Sequence, residues 1–191
     1  MILRWGENFR QKAHFVACGH ITDTPTTLTY ASVVLRDFIH IALTIAALNG
    51  IGILSCDIQN AYLTTEYQEN IWTRAGPEFG SKDITFMIVN MALYGLKSGG
   101  ASFRVHLAET LNDIGFLSTK AEPDLWYRPV VKPNSFEYYE YILCYFDYVL
   151  CISHDLDILI GWIQAVFKFK GDNVEQPKIY LGYQVGKMIV D

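Results

Sequence analysis

Tyr145-Phe146-Asp147-Tyr148-Val149-Leu150 is the stretch whose reading decides the fold. It lies where two runs of aromatic and β-branched residues meet, Tyr138 to Phe146 and Val149 to Ser153, both rich in strand formers. Asp147-Tyr148 suits a two-residue turn, so the spacing predicts a β-hairpin with Asp147 at an exposed tip. Counting back from that turn places Cys144 opposite Cys151. Taken alone, Asp147 reads first as a turn former. On a tight turn between apolar strands it is also a carboxylate on a rigid support, directed away from the core, as a metal or substrate site requires.

A second carboxylate strengthens that reading. The apolar run Ile51 to Leu54 leads through Ser55 and Cys56 into Asp57, and Ile58-Gln59-Asn60-Ala61-Tyr62-Leu63 follows at helix-like spacing. Asp57 is therefore expected at the end of a buried strand. Nucleotidyl transfer uses two Mg2+ ions about 3.5–4 Å apart, which activate the attacking hydroxyl and neutralise the departing pyrophosphate through hard oxygen ligands. Asp57 and Asp147, on adjacent strands, are suited to supply such ligands.

Five segments then occur in a telling order: Lys12-Ala13-His14-Phe15-Val16-Ala17, Thr29-Tyr30-Ala31-Ser32-Val33-Val34, Cys56-Asp57-Ile58-Gln59-Asn60-Ala61-Tyr62-Leu63, Ala92-Leu93-Tyr94-Gly95-Leu96-Lys97 and Leu143-Cys144-Tyr145-Phe146-Asp147. In order and spacing, over roughly Lys12 to Gly182, the chain is similar to copia-type retrotransposon reverse transcriptases. The resemblance implies an α+β polymerase palm, an antiparallel sheet with helices on one face and the catalytic aspartates on the other, with partial fingers. It implies RNA-templated DNA synthesis by two-metal nucleotidyl transfer, with primer-template RNA or DNA and deoxynucleoside triphosphates as partners. Asp57 and Asp147 would be the catalytic Mg2+ ligands. Tyr62 would close over the sugar of the incoming nucleotide, although an aromatic there otherwise reads as packing on the following helix. Lys12 would contact the triphosphate, although a lone lysine otherwise reads as a solvated surface residue. His14 and Lys97 complete the expected nucleotide-binding set.

The departures from the pattern carry equal weight. Tyr148 stands where the family usually has a second aspartate, and a phenol with an ordinary pKa of about 10 is neutral at pH 7 and cannot replace a carboxylate on Mg2+. Asp155 and Asp157 sit several strand residues from the tip and read as acidic residues of a helix first turn. His14 replaces an arginine, removing a fixed charge and a bidentate phosphate donor. Ser98 stands where many relatives carry glutamine. This copy is therefore expected to be catalytically impaired.

The rest of the sequence fits one folded domain. Its 191 residues are 51% hydrophobic and 14% aromatic, enough for one substantial core, and too apolar for a disordered segment. The net charge is -5 with scattered Lys and Arg, which argues against strong autonomous grip on a primer-template duplex. No Cys-x-x-Cys pair accompanies the four cysteines, so a zinc site is not indicated. In a reducing compartment they are expected as free thiols. The longest apolar stretch, Ile41 to Leu54, is too short to span a bilayer, and no signal sequence is evident. By resemblance the setting is intracellular, cytoplasmic in virus-like particles or nuclear.

Periodicity predicts helices at Arg36 to Leu48, Ser102 to Ile114 and Leu156 to Phe169. It predicts strands at Ile71 to Arg74, Ile84 to Val89, Leu125 to Val131 and Ile179 to Tyr183, besides the hairpin. The expected organisation is partial fingers over 1–49 and palm over 50–191. The thumb, connection and RNase H regions of relatives have no counterpart, so a fragment is expected, either a truncated genomic copy or part of a longer gene. Two other readings stay open: a non-catalytic nucleic-acid-binding remnant, and an α+β protein-interaction module using the aromatic hairpin.

Overall fold

The fold, taken from a computed structural model, is described for residues 2–5, 11–14, 16–181 and 183–186, with side chains from 16–171, 174–181 and 184–186. In chain order the elements are β1 (Ile2–Trp5), β2 (Gln11–His14), α1 (Arg36–Leu48), β3 (Gly52–Ile58), β4 (Trp72–Arg74), β5 (Phe86–Ile88), α2 (Gly99–Asp113), β6 (Leu117–Ser118), β7 (Leu125–Val131), β8 (Glu137–Tyr145), β9 (Tyr148–Ser153), α3 (Leu156–Gln164), β10 (Phe169–Glu175), β11 (Ile179–Tyr180) and β12 (Tyr183–Gln184). This is the mixed α+β composition expected. The chain forms two compact units, residues 1–31 with 60–106 and residues 32–59 with 107–191. They do not part at residue 49.

The second unit is built on a six-stranded antiparallel sheet in the order β10-β3-β9-β8-β7-β6. Its register pairs Cys56 with Val149, Asp57 with Tyr148 and Cys144 with Val149. Because strand side chains alternate, Cys56, Val149, Cys151, Cys144 and Glu140 share one face, while Asp57, Tyr148, Leu150, Ile152 and Leu143 share the other.

The cysteine face is covered by α3. At the start of α3, a Cβ on Gly52 would meet Leu156 Cδ1 at 2.7 Å, so β3 and α3 touch where glycine leaves room. Arg128 stacks against Phe116 and Trp162, 4.9 and 4.4 Å from their ring centres. It donates to the Ile114 carbonyl at 2.8 Å and pairs with the buried Glu140. Glu140 also accepts from Ser153 Oγ at 2.6 Å and the Tyr138 hydroxyl at 3.2 Å, so each carboxylate oxygen buried here is satisfied.

The aspartate face is not bare. Ile39, Ala42 and Ala46 of α1 pack with Leu143, Leu150, Ile152 and Tyr180 in one buried cluster. Each large aliphatic side chain buried this way contributes about 1.5–3 kcal/mol. The start of α1 is anchored where Leu35 N–H donates to Glu122 Oε2 at 3.0 Å and Val34 N–H to the Cys144 carbonyl at 3.0 Å. The expectation of helices on one face is corrected, because α3 lies on the cysteine face and α1 on the aspartate face. The face is apolar beneath α1 because Leu143, Leu150 and Ile152 alternate with residues that serve the other core.

Helix α1 and strand β7 occupy the predicted residues, but three other expectations shift. Helix α3 ends at Gln164, and Phe167-Lys168-Phe169-Lys170 alternates with period two, both phenylalanines buried and both lysines exposed. Its end becomes β10, which pairs Phe169 with Ile58. The strand expected at Ile179 to Tyr183 folds back as the β11–β12 hairpin, with Leu181 at φ +48. The main hairpin turns at Phe146-Asp147 rather than Asp147-Tyr148, with Tyr145 paired to Tyr148 and Cys151 opposite Ile142, not Cys144.

The first unit holds the β1–β2 and β4–β5 ribbons and a small core of Tyr67, Ala92 and Leu96 flanked by Tyr62 and Leu93. Ala17 N–H donates to the Tyr94 carbonyl at 2.7 Å. Gly95 adopts φ +90, where a Cβ would lie 2.2 Å from the Ala17 carbonyl oxygen, so the Tyr94-Gly95 motif requires glycine for close backbone approach.

Candidate active site

Asp57 ends a strand whose inner residues are buried, and its own exposure is only 5%. A buried carboxylate requires partners. Oδ2 accepts a hydrogen bond from Lys170 Nζ at 2.7 Å, while Oδ1 is buried with no hydrogen-bond partner among the described residues. Asp147 lies on the turn of the neighbouring hairpin. That turn is fastened to β3, because Ile58 N–H donates to the Asp147 carbonyl at 2.8 Å. Asp147 is consequently half-buried rather than freely exposed. Burial pushes its carboxyl above the ordinary range, its own backbone amide partly counters this, and the charge of Asp57 pushes further upward. The structure thus brings both predicted carboxylates to the same end of the sheet.

Tyr148 is a strand residue directly across from Asp57 and is 43% exposed. The turn residue before Asp147, Phe146, sits at φ +52, a region that costs a bulky side chain about 1–2 kcal/mol. Its ring meets Tyr145 edge-on at 5.4 Å. Such backbone strain concentrates at functional turns.

Lys170 was not singled out from the sequence. Its position follows from the register of β10: Phe169 pairs with Ile58, so the next residue stands opposite Asp57, and a bulge then follows before Val174 meets Cys56. Gly171 at φ +66 permits that bulge. The Asp57 hydrogen bond raises the Lys170 pKa, partial burial opposes the rise, and the charges of Asp57 and Asp147 add to it. A period-two reading of Phe167-Lys168-Phe169-Lys170 would have identified the strand, but not its partner.

The remaining predicted residues lie in the first unit. A short 3-10 turn over Ala61–Thr64 carries Tyr62, in place of the longer helix that the spacing suggests, because Asn60 breaks the chain direction at φ +53. The Tyr62 ring packs against Tyr94 at 4.5 Å and Phe103 at 6.2 Å. Lys97 Nζ donates to the carbonyls of Thr22 and Asp23 at 2.7 and 3.4 Å. Ser98 is buried, with Oγ 2.8 Å from the Tyr67 hydroxyl and 2.9 Å from Glu69 Oε1. Lys12 and His14 lie on β2, and their side chains fall outside the described residues.

The comparisons with known proteins decide the family. The family described as reverse transcriptase (RNA-dependent DNA polymerase) matches residues 6–189. The chain belongs to the reverse transcriptase family. It is 25% identical over 184 residues to the "Retrovirus-related Pol polyprotein from transposon RE1" of Arabidopsis thaliana, a match covering 94% of this chain and 12% of that protein. It is 34% identical over 94 residues to the "Truncated transposon Ty1-A Gag-Pol polyprotein" of Saccharomyces cerevisiae, covering 48% of this chain and 8% of that protein. The copia-type retrotransposon resemblance is thereby borne out. The chain spans about an eighth or less of the length of these relatives. No solved structure matches it significantly.

For a member of the reverse transcriptase family the question is whether these residues suit a divalent ion. The buried Asp57 Oδ1 lacks a partner and Asp147 is a second hard oxygen donor beside it, which is the chemistry Mg2+ favours. Among the described residues no group of three or more His, Cys, Asp or Glu is arranged to hold a metal ion. Asp155 and Asp157 lie at the start of α3, as expected from the sequence. No helix among the described residues is long and apolar enough to cross a membrane. The cysteines are free thiols, with Cys56, Cys144 and Cys151 buried and Cys18 exposed.

Proposed function

We propose that the second unit is the palm of a copia-type reverse transcriptase whose family reaction is RNA-templated addition of deoxynucleotides, and that this copy is impaired at one metal ligand. Asp57 and Asp147 would hold Mg2+, which when bound supplies charge neutralisation and Lewis-acid activation. By family resemblance Lys12, His14, Tyr62 and Lys97 are the nucleotide-contacting residues. RNA or DNA primer-template and deoxynucleoside triphosphates are the corresponding partners.

The observation that carries the reading is the cross-strand pair of Asp57 and Tyr148 beside Asp147. Three neighbouring positions there include only two carboxylates, and the partnerless Asp57 Oδ1 is the atom a cation would satisfy. Asp57 orients its carboxylate through the Lys170 hydrogen bond. The hairpin holds Asp147 through the Ile58–Asp147 backbone bond. A neutral phenol at 148 leaves the second ion short of a ligand.

Primer extension on an RNA template with Mg2+ tests this, comparing the chain with Tyr148→Asp. Activity is expected in the aspartate form and little or none in the parent. Equal activity in both would overturn the role given to Tyr148, and activity in neither would overturn the claim that the rest of the site is intact.

A further inference from the structure

We propose that Lys170 is the resident counter-ion of the Asp57–Asp147 pair and competes with a divalent cation for it. The inference rests on the metal-ligand reading above and adds a residue that the reading does not require. Three observations meet at this point. The Lys170 ammonium is 2.7 Å from Asp57 Oδ2, on an oxygen that a cation would take. Phe169 pairs with Ile58, and one step along that register sets Lys170 opposite Asp57, ahead of the irregularity that ends at Val174 and Cys56. Tyr148, across from Asp57 on β9, adds no carboxylate to the pair.

Charge counting explains why the contact matters in this chain. Two carboxylates and one ammonium leave a single excess negative charge, whereas a third carboxylate at 148 would leave two. One lysine therefore satisfies most of the site as it stands, and the substitution at 148 tilts the balance toward the ammonium. The Lys170 side chain is 60% exposed, so it can swing into solvent without a large desolvation penalty. The contact is displaceable, and the pair is gated by the concentration of divalent ion. Asp57 Oδ1 stays unpaired while the lysine is in place, which leaves a foothold for the competitor.

Mn2+ is the probe, with free ion followed by electron paramagnetic resonance during titration of the chain, Lys170→Met, Lys170→Gln and the double variant Asp57→Asn/Lys170→Met. Circular dichroism confirms that each is folded, and the mostly exposed lysine head makes loss of fold at 170 avoidable in at least one of the two replacements. Removing a unit charge next to the ion should tighten Mn2+ binding about tenfold in both single variants, and the double variant should lose it. Unchanged affinity at 170 with binding that still depends on Asp57 overturns the inference and leaves the metal-ligand reading standing. Tightened binding that survives Asp57→Asn, or no binding in any form, overturns the metal-ligand reading and the inference with it.

Discussion

Tyr148→Asp should make the stability of this chain depend on divalent metal. Residue 148 lies directly across from Asp57, and side chains in that relation have Cβ atoms about 4.5–5.5 Å apart. Two carboxylates there are about 6 Å apart, which at an effective dielectric of about 20 is a repulsion of about 3 kcal/mol. Lys170 already contacts Asp57 and offsets part of it, leaving a net loss of about 2 kcal/mol in metal-free buffer. For a chain of this size that lowers Tm by about 4–8 °C. An ion that binds the folded form at about 100 times its dissociation constant returns about 2.7 kcal/mol, so Mg2+ should recover the loss. The assay is thermal denaturation by circular dichroism in EDTA and in Mg2+, with Tyr148→Asn as the neutral control. The parent and the asparagine form should respond weakly to Mg2+. If Tyr148→Asp melts with Tyr148→Asn in EDTA, or shows no Mg2+ recovery, the three side chains do not converge and the argument fails.

Three further outcomes follow from the same packing. Asp147 has its carboxyl held above the ordinary value of 3.8, by burial first, so its ionised form weakens the fold and stability falls as pH rises through the folded-state pKa. Asp147→Asn should therefore raise Tm at neutral pH, with the gain fading toward the ordinary carboxylate value in melts run across that range. Glu140→Ala leaves the Arg128 guanidinium without its buried partner and should destabilise by about 3–5 kcal/mol in urea unfolding. Tyr180 buries a hydroxyl with no hydrogen-bond partner among the described residues, and burial pushes its pKa far up. Tyr180→Phe should then raise the unfolding free energy by about 1 kcal/mol, and a loss of that size would show that the hydroxyl is bonded after all.

The sequence made the sheet core readable because its signals are local. Arg36 to Leu48 repeats apolar residues at helical spacing and ends at Asn49-Gly50, and α1 spans those residues with Gly50 at φ +61. Leu125 to Val131 has strand composition and forms β7 as expected. The hairpin turn was harder for a definite reason. Moving it from Asp147-Tyr148 to Phe146-Asp147 shifts the pairing by two residues, and alternation repeats every two, so Cys144 and Cys151 keep the same face in either register. Only the positive φ of Phe146 distinguishes the two, and nothing in a phenylalanine advertises it.

The same limit applied to the site, and it explains why the missed residue was the cation. Both carboxylates were recognisable because each sits next to a strong strand signal, Asp57 after Ile51–Cys56 and Asp147 inside an aromatic hairpin. Lys170 is 113 residues from Asp57, and its strand begins inside a stretch that also reads as the end of a helix. Pairing between strands this far apart in the chain leaves no mark in local sequence. Yet the shift of the turn is what moves Tyr148 from a loop tip onto β9 opposite Asp57. A tyrosine at a tip would be a peripheral change; on the strand it occupies the position from which a carboxylate would face both Asp57 and the lysine. The register, more than the residue type, puts residue 148 directly across from Asp57.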